Sequence, residues 1–232
     1  MIKVSTILMK NHNISIQEFH NHWQNEHAKI AMSTPSWYQY MRKYVQSHTY
    51  HALHKDKQPP FDGVAHFWLD HIESFKEWTQ LPELSVVAED TRKLVDGKKL
   101  IRLFTNELEQ YALPDWKQRS KIKRISFIKK SPKMKIDEFH DYWANHHSLL
   151  VMERPWWKYC NRYVQNHIQY DAYPNGESPL GYNGFAEIYF DDLQAFERWQ
   201  DGHVNDEVVV ADEKKMVGHV DTFFTYEIQI QP

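Results

Sequence analysis

The sequence predicts an α+β fold in which a β-α-β-β-α-β unit occurs twice in one chain of 232 residues. Three observations predict it. The stretch Glu18-Phe19-His20-Asn21-His22-Trp23-Gln24-Asn25-Glu26-His27 returns as Glu138-Phe139-His140-Asp141-Tyr142-Trp143-Ala144-Asn145-His146-His147, at an offset of 120 residues. Around each copy, helix-like and strand-like apolar periodicity alternate in the same order. The length suits two units of about 115 residues each.

In the first unit, residues 3–10 alternate and stop at the turn signal Asn11-His12-Asn13. Ser15 and Glu18 form a capping box, which starts a helix near Ile16. Ile16, Phe19, Trp23, His27 and Ile30 make its apolar stripe, and Pro35 ends it. Met41 to His51 reads as a strand with Tyr44, Gln46, His48 and Tyr50 on one face. His51 to Pro60 is a loop, and Gly63 to Leu69 a strand. Asp70 with Glu73 is expected to cap the second helix, Pro82 to interrupt it, and Asp96-Gly97 to end it. Lys99 to Leu108 is the fourth strand.

This order is the ferredoxin-like arrangement: an antiparallel sheet with both helices on one face. Residues 1–108 form the first unit, 109–121 a linker and 122–232 the second unit. Arg162-Tyr163-Val164-Gln165-Asn166-His167 echoes Lys43-Tyr44-Val45-Gln46-Ser47-His48. Gly184-Phe185-Ala186-Glu187 echoes Gly63-Val64-Ala65-His66. Each sheet would leave one aromatic-rich face bare, and such faces need a partner. The two units are therefore expected to close on each other as an intramolecular α+β barrel, a pseudo-dimer with helices outside and a hollow seam between the sheets.

The net charge of −3 gives no general attraction to nucleic acid or to a membrane surface. No apolar run approaches a membrane span, and no secretory signal opens the chain, so a cytoplasmic protein is expected. The single Cys160 excludes an internal disulfide and reads as a buried filler. Phosphate-binding glycine motifs and GxSxG are missing. His20 and His27 lie about 10.5 Å apart along a helix, too far to share an ion, and no metal site is expected.

The candidate chemistry is carried by histidines. His27 and His147 each stand two turns from a core Phe and read as general acid–base groups at a barrel mouth, or as core histidines bonded to backbone. His48 and His167 share a strand face with Tyr44 and Gln46, and with Tyr163 and Gln165. A face alternating Tyr, Gln and His reads as the wall of a binding pocket inside the barrel, or as a face packed under the helices. His66 with Trp68 and Glu187 with Tyr189 occupy matching positions in the two units. Glu187 among aromatics is expected to titrate high and serve as an acid, with pairing to an Arg as the alternative.

Phe-His-x-x-Trp-x-Asn-x-His on the helix, Tyr-Val-Gln-x-His on the strand and Gly-x-Ala on the next resemble the EthD family of the dimeric α+β barrel superfamily. The resemblance covers nearly the whole chain, once per half. It implies chemistry on small aromatic or polyketide-like molecules, as in dehydratases, lactone isomerases, cofactor-free monooxygenases and haem-binding enzymes. The leading expectation is a cofactor-independent lyase or isomerase using His27, His48, His147 and His167, with Tyr44, Gln46, His66, Trp68, Tyr163, Gln165, Glu187 and Tyr189 lining its pockets. The alternatives are a non-catalytic metabolite carrier, and a cofactor-free monooxygenase or haem protein, since one His could ligate haem axially. A homodimer of the tandem chain stays open.

Overall fold

The computed structural model describes residues 1–54, 58–96 and 100–231. Its first half contains β1 (Ile2–Leu8), α1 (residues 16–32), β2 (Lys43–Thr49), β3 (Gly63–Leu69), α2 (Ile72–Trp78), α3 (Ser85–Leu94) and β4 (Ile101–Ala112). The second half repeats the order as β5 (Ile122–Lys130), α4 (residues 136–152), β6 (Arg162–Ile168), β7 (Gly184–Phe190), α5 (Leu193–Val204), α6 (Glu207–Met216) and β8 (Val217–Gln231). Ser15 caps α1 through Glu18 N–H at 3.1 Å, and Glu18 Oε2 accepts from Ser15 N–H at 2.7 Å. Lys135 stands at the matching place before α4, and only its backbone N–H donates to Glu138, at 3.2 Å.

Three boundaries differ from expectation. His71, not Asp70, caps α2 by accepting from Ser74 N–H. Arg42 already holds the Asp70 carboxylate, with Nε at 3.1 Å. The strand expected over Met41 to His51 is shorter, Lys43–Thr49. Residues 109–112, expected in the linker, belong to β4. The expected helix end at Gly97 and strand start at Lys99 lie outside the described residues.

All eight strands form one closed antiparallel barrel in the order β1-β3-β2-β8-β5-β7-β6-β4. The halves join edge to edge, β2 to β8 and β4 to β6. Both joints depend on a long strand that serves two sheets. Residues 101–105 of β4 pair with β1, and residues 105–112 pair with β6. Likewise β8 pairs with β5 up to Thr225 and with β2 beyond it. Thr105 and Thr225 are the pivots, and each hydroxyl donates across to the carbonyl of Lys3 or Lys123. Closure leaves no free sheet edge in the barrel.

The helices cover the outside of the barrel. Phe19, Trp23, Trp37, Phe75 and Trp78 pack on the first sheet, and Phe139, Trp143, Trp156, Trp157 and Trp199 on the second. Trp23 and Trp143 press so closely on the strands that a glycine is needed beneath each. A Cβ on Gly63 would lie 2.5 Å from the Trp23 ring, and one on Gly184 2.6 Å from the Trp143 ring. Cys160 is buried in the second of these cores.

The barrel interior is filled, which corrects the expectation of a hollow seam. At one level Ile7, Val64 and Leu103 of the first half meet Ile125 and the bulkier Phe127, Phe185 and Phe223 of the second. At another level lies a lattice of charges. Glu187 accepts from Lys123 at 2.9 Å, from Lys3, and from Asn166 at 3.1 Å. Lys3 also reaches Glu107 at 2.8 Å, and Lys123 reaches Glu227 at 2.7 Å. Among the described residues, no helix is long and apolar enough to cross a membrane.

Candidate active site

Two cavities lie between sheet and helices, one in each half. The first, of about 390 Å³, is walled by Trp23, His27, Tyr44, Phe67, Phe75 and Trp78, with Arg102 among its lining residues. The second, of about 240 Å³, is walled by Arg124, Trp143, His147, Trp157, Tyr163 and Trp199. A third, of about 340 Å³, opens at the barrel end beside Lys43, Trp116 and Glu227. Its lining includes Tyr189 but none of the histidines.

His27 and His147 owe their positions to an irregularity in α1 and α4. Each helix opens into a π turn at the same place, Trp23–His27 and Trp143–His147. The extra residue per turn changes where the following side chains point, and such turns concentrate at functional sites. The carbonyl at the head of each π turn accepts twice. Trp23 O takes the Ala28 N–H and the Gln46 amide at 3.0 Å. Trp143 O takes the Ser148 N–H and the Gln165 amide at 2.9 Å.

Each histidine is held by a carboxylate from the last helix of its half. His27 Nδ1 lies 2.8 Å from Asp90 Oδ2, and His147 Nδ1 lies 2.9 Å from Asp212 Oδ2. Both aspartates are buried. An ionised carboxylate can only accept, so Nδ1 carries the proton and Nε2 the free lone pair. That nitrogen makes no hydrogen bond among the described residues. Asp90 also accepts from His22 at 3.0 and 3.1 Å, and Asp212 from the Tyr142 hydroxyl. Burial pushes both carboxyls up, but these hydrogen bonds outweigh it, and Asp212 comes down to about 2. Burial lowers His27, opposed by the bond to Asp90, so its imidazole is held neutral and basic.

Of the residues expected in the site, His27 and Tyr44 meet in the first cavity, and His147 and Tyr163 in the second. The strand face carrying Tyr44, Gln46 and His48 points at α1, not into the barrel. Trp23 Nε1 donates to the Tyr44 hydroxyl at 3.2 Å, and Gln46 joins Tyr44 to His48 through bonds of 2.8 Å. Trp143, Tyr163, Gln165 and His167 repeat this chain. His48 stacks on Trp23 at 4.3 Å and His167 on Trp143 at 4.9 Å, and neither lines any of these three cavities. Burial, with a neighbouring histidine, lowers them to about 3 and 4. They pack the helix on the sheet as uncharged rings.

His66, Trp68, Glu187 and Tyr189 do face into the barrel, but into the charge lattice. His66 lies between Ser5 at 2.9 Å and Ser47 at 3.0 Å. Trp68 lies under Lys3 and Lys43. Tyr189 donates to Glu227 at 2.8 Å. Glu187 does not titrate high. Burial alone would raise it, but Lys123 and Lys3 bring it well below the usual carboxylate range. Its partners are two lysines, where an Arg was the alternative expected. Among the described residues no cluster of three His, Cys, Asp or Glu could hold a metal ion.

Asp90 and Asp212 were not among the expected site residues. The signal was present: Val86-Val87-Ala88-Glu89-Asp90 and Val208-Val209-Val210-Ala211-Asp212 keep the Asp at one position in both halves.

The EthD domain matches residues 11–98 and 131–219. The chain belongs to the EthD family. This tandem EthD protein also resembles solved structures over its whole length. An anthrone oxidase-like protein aligns with a TM-score of 0.64 at 11% identity, over 99% of this chain and 93% of its own. A candidate monooxygenase from Lactobacillus acidophilus aligns with a TM-score of 0.54 at 10% identity, over 97% and 92%. Chlorite dismutase from Candidatus Nitrospira defluvii aligns with a TM-score of 0.55 at 10% identity, over 99% and 91%. At these identities the likeness is one of fold. A comparison with curated proteins gives no match.

Proposed function

We propose that this EthD protein is a small-molecule enzyme whose His–Asp pairs abstract a proton from a hydrophobic, aromatic or polyketide-like substrate. The observation that carries this reading is the His27–Asp90 pair in the wall of the first cavity. A base needs a free lone pair, a fixed ring and a neutral state at working pH, and His27 has all three. The first cavity falls within the roughly 300–1,000 Å³ of small-molecule sites. Its aromatic walls suit a ring system, and Tyr44 is one of them.

His27 Nε2 takes a proton from an acidic C–H or phenolic O–H, and Asp90 stabilises the imidazolium that forms. Returning the proton to another carbon isomerises the substrate, and giving it to a leaving hydroxyl releases water. A deprotonated substrate that reacts with dioxygen would be oxygenated instead. The oxidase and monooxygenase names among the similar folds favour keeping that branch open. The test is turnover of candidate anthrones and hydroxylated polyketides with and without dioxygen, comparing wild type with His27→Gln. Loss of at least 100-fold supports the base. Unchanged rates reject it, and binding without turnover by wild type would make the protein a carrier.

Haem is the second reading. Nδ1 bound to a carboxylate with Nε2 free is also how metal-ligating histidines are oriented. His27 or His147 would hold the haem iron through Nε2, and a haem would supply redox chemistry. A Soret band after reconstitution that is lost in one of His27→Gln and His147→Gln and kept in the other would support it, and a band kept in the double variant would reject it. The chain is read as cytoplasmic and free of nucleic-acid and membrane partners. A homodimer of the tandem chain is open to sedimentation analysis.

A further inference from the structure

Arg124 has no hydrogen-bonded ion-pair partner among the described residues, and the nearby carboxylate that acts on it, Glu213, lines the same cavity. It lies on β5 between Lys123 and Ile125, whose side chains face the barrel interior. The period of two therefore sends Arg124 to the helix side, into the wall of the second cavity with His147. Its Nε is out of solvent reach and has no hydrogen-bond partner. No carboxylate among the described residues forms an ion pair with it. Glu213 acts on it through space but is bound to His203 at 2.9 Å. Its described contact is with the face of Trp199, 5.2 Å from the ring centre.

A guanidinium stays protonated and presents five donors in one plane. Arg124 as a whole is half-buried, and a carboxylate matches a guanidinium fork with two parallel bonds. The first half has no arginine at the matching strand position. Val4 stands at the matching position, buried in the core. The arginine of the first cavity, Arg102, comes from β4 and is exposed. The second cavity is also smaller, below the usual range for small-molecule sites, which limits its occupant to one or two rings.

We infer that the second cavity binds a small aromatic carboxylate, with Arg124 as the anion anchor and the ring against Trp157 and Trp199. The two halves then take different molecules, the first a neutral hydrophobic compound and the second an anion. This rests on the reading of the helix–sheet cavities as the ligand sites of this chain.

The test is isothermal titration of the full chain with 1-naphthoate and with its neutral counterpart 1-naphthalenemethanol. Wild type should bind naphthoate at least tenfold more tightly. Arg124→Met should lose at least tenfold in naphthoate affinity, about 1.4 kcal/mol, and change less than threefold for the alcohol. Arg124→Lys should keep part of the preference. Equal affinities in wild type, or a loss in Arg124→Met shared by both probes, would overturn the assignment. If Arg124→Met does not fold, the wild-type comparison and Arg124→Lys decide. Failure of the anion anchor is thus read in binding, and failure of the catalytic dyad in turnover.

Discussion

Replacing Glu187 with Gln separates a structural counter-ion from a catalytic acid. Glu187 is 1% exposed, and so is Lys123, with Lys3 at 2%. One carboxylate oxygen faces Lys123 at 2.9 Å, and the other faces Lys3 and Asn166. Gln keeps the volume but offers one acceptor where two are used, and turns an amide N–H toward a lysine. At about 3 Å and an effective dielectric near 20, each attraction is about 5 kcal/mol gross. Desolvation offsets much of this, and breaking a buried pair costs about 3–5 kcal/mol. For a chain of this size that lowers Tm by roughly 6–10 °C. Glu107 and Glu227 are 23% and 22% exposed, so Glu107→Gln and Glu227→Gln should cost clearly less. The assay is urea and thermal unfolding of the three variants at pH 7. The pH dependence has a fixed sign. The native carboxyl titrates below its unfolded value of about 4.3, so its contribution is complete above that pH and is lost as pH falls through the native value. The gap between wild type and Glu187→Gln should therefore close in acid. A carboxyl held protonated would instead be replaced by Gln at nearly no cost at pH 7, and that result would refute the counter-ion argument.

Other expectations concern the dyad and the helix–sheet contact. Asp90→Asn should lower turnover by about 10²–10⁴-fold. Because Asp90 raises His27 against the lowering effect of burial, the acid limb of kcat/KM should also move to lower pH, and an unmoved limb would assign it to another group. Gly63→Ala should cost about 1–3 kcal/mol in urea unfolding, since its Cβ would lie 2.5 Å from the Trp23 ring. Gly184→Ala should behave alike. Burial lowers His48 to about 3, so only the unfolded chain takes up this proton as pH falls from about 6.5 toward 3, and stability falls with it. His48→Asn should remove about one proton from that slope while leaving turnover within threefold; a larger loss of turnover would return His48 to the chemistry.

Much of the fold was legible because it is written twice. The repeat of Phe19, Trp23 and His27 in Phe139, Trp143 and His147 marks a helix that packs aromatics and carries a histidine. The turn signals and the proline at position 82 bound most elements within a few residues. The candidate site was half legible. His27 and His147 are set by spacing along one helix, which is a local property. Their carboxylates lie 63 and 65 residues downstream, and only packing brings them to 2.8 and 2.9 Å.

The direction of a strand face was the point where the sequence left two answers. Alternation separates Tyr44, Gln46 and His48 from Val45 and Ser47, but does not say which set meets the helix. The structure turns the polar set outward because the π turn in α1 leaves a carbonyl for Gln46, while Trp23 donates to Tyr44 and stacks on His48. Glu187 went the same way: its aromatic neighbours in sequence suggested a high pKa, and two lysines from distant strands reverse it.

The amino-acid order alone determined the doubled β-α-β-β-α-β plan, because hydrophobic period and turn residues act over a few positions. Tertiary structure alone decided that the barrel is filled, that the cavities lie under the helices, and which charges are paired. Those outcomes depend on side chains far apart in the chain, 64 residues for Lys123 with Glu187 and 184 for Lys3 with Glu187, meeting in one volume, and no local pattern encodes that sum.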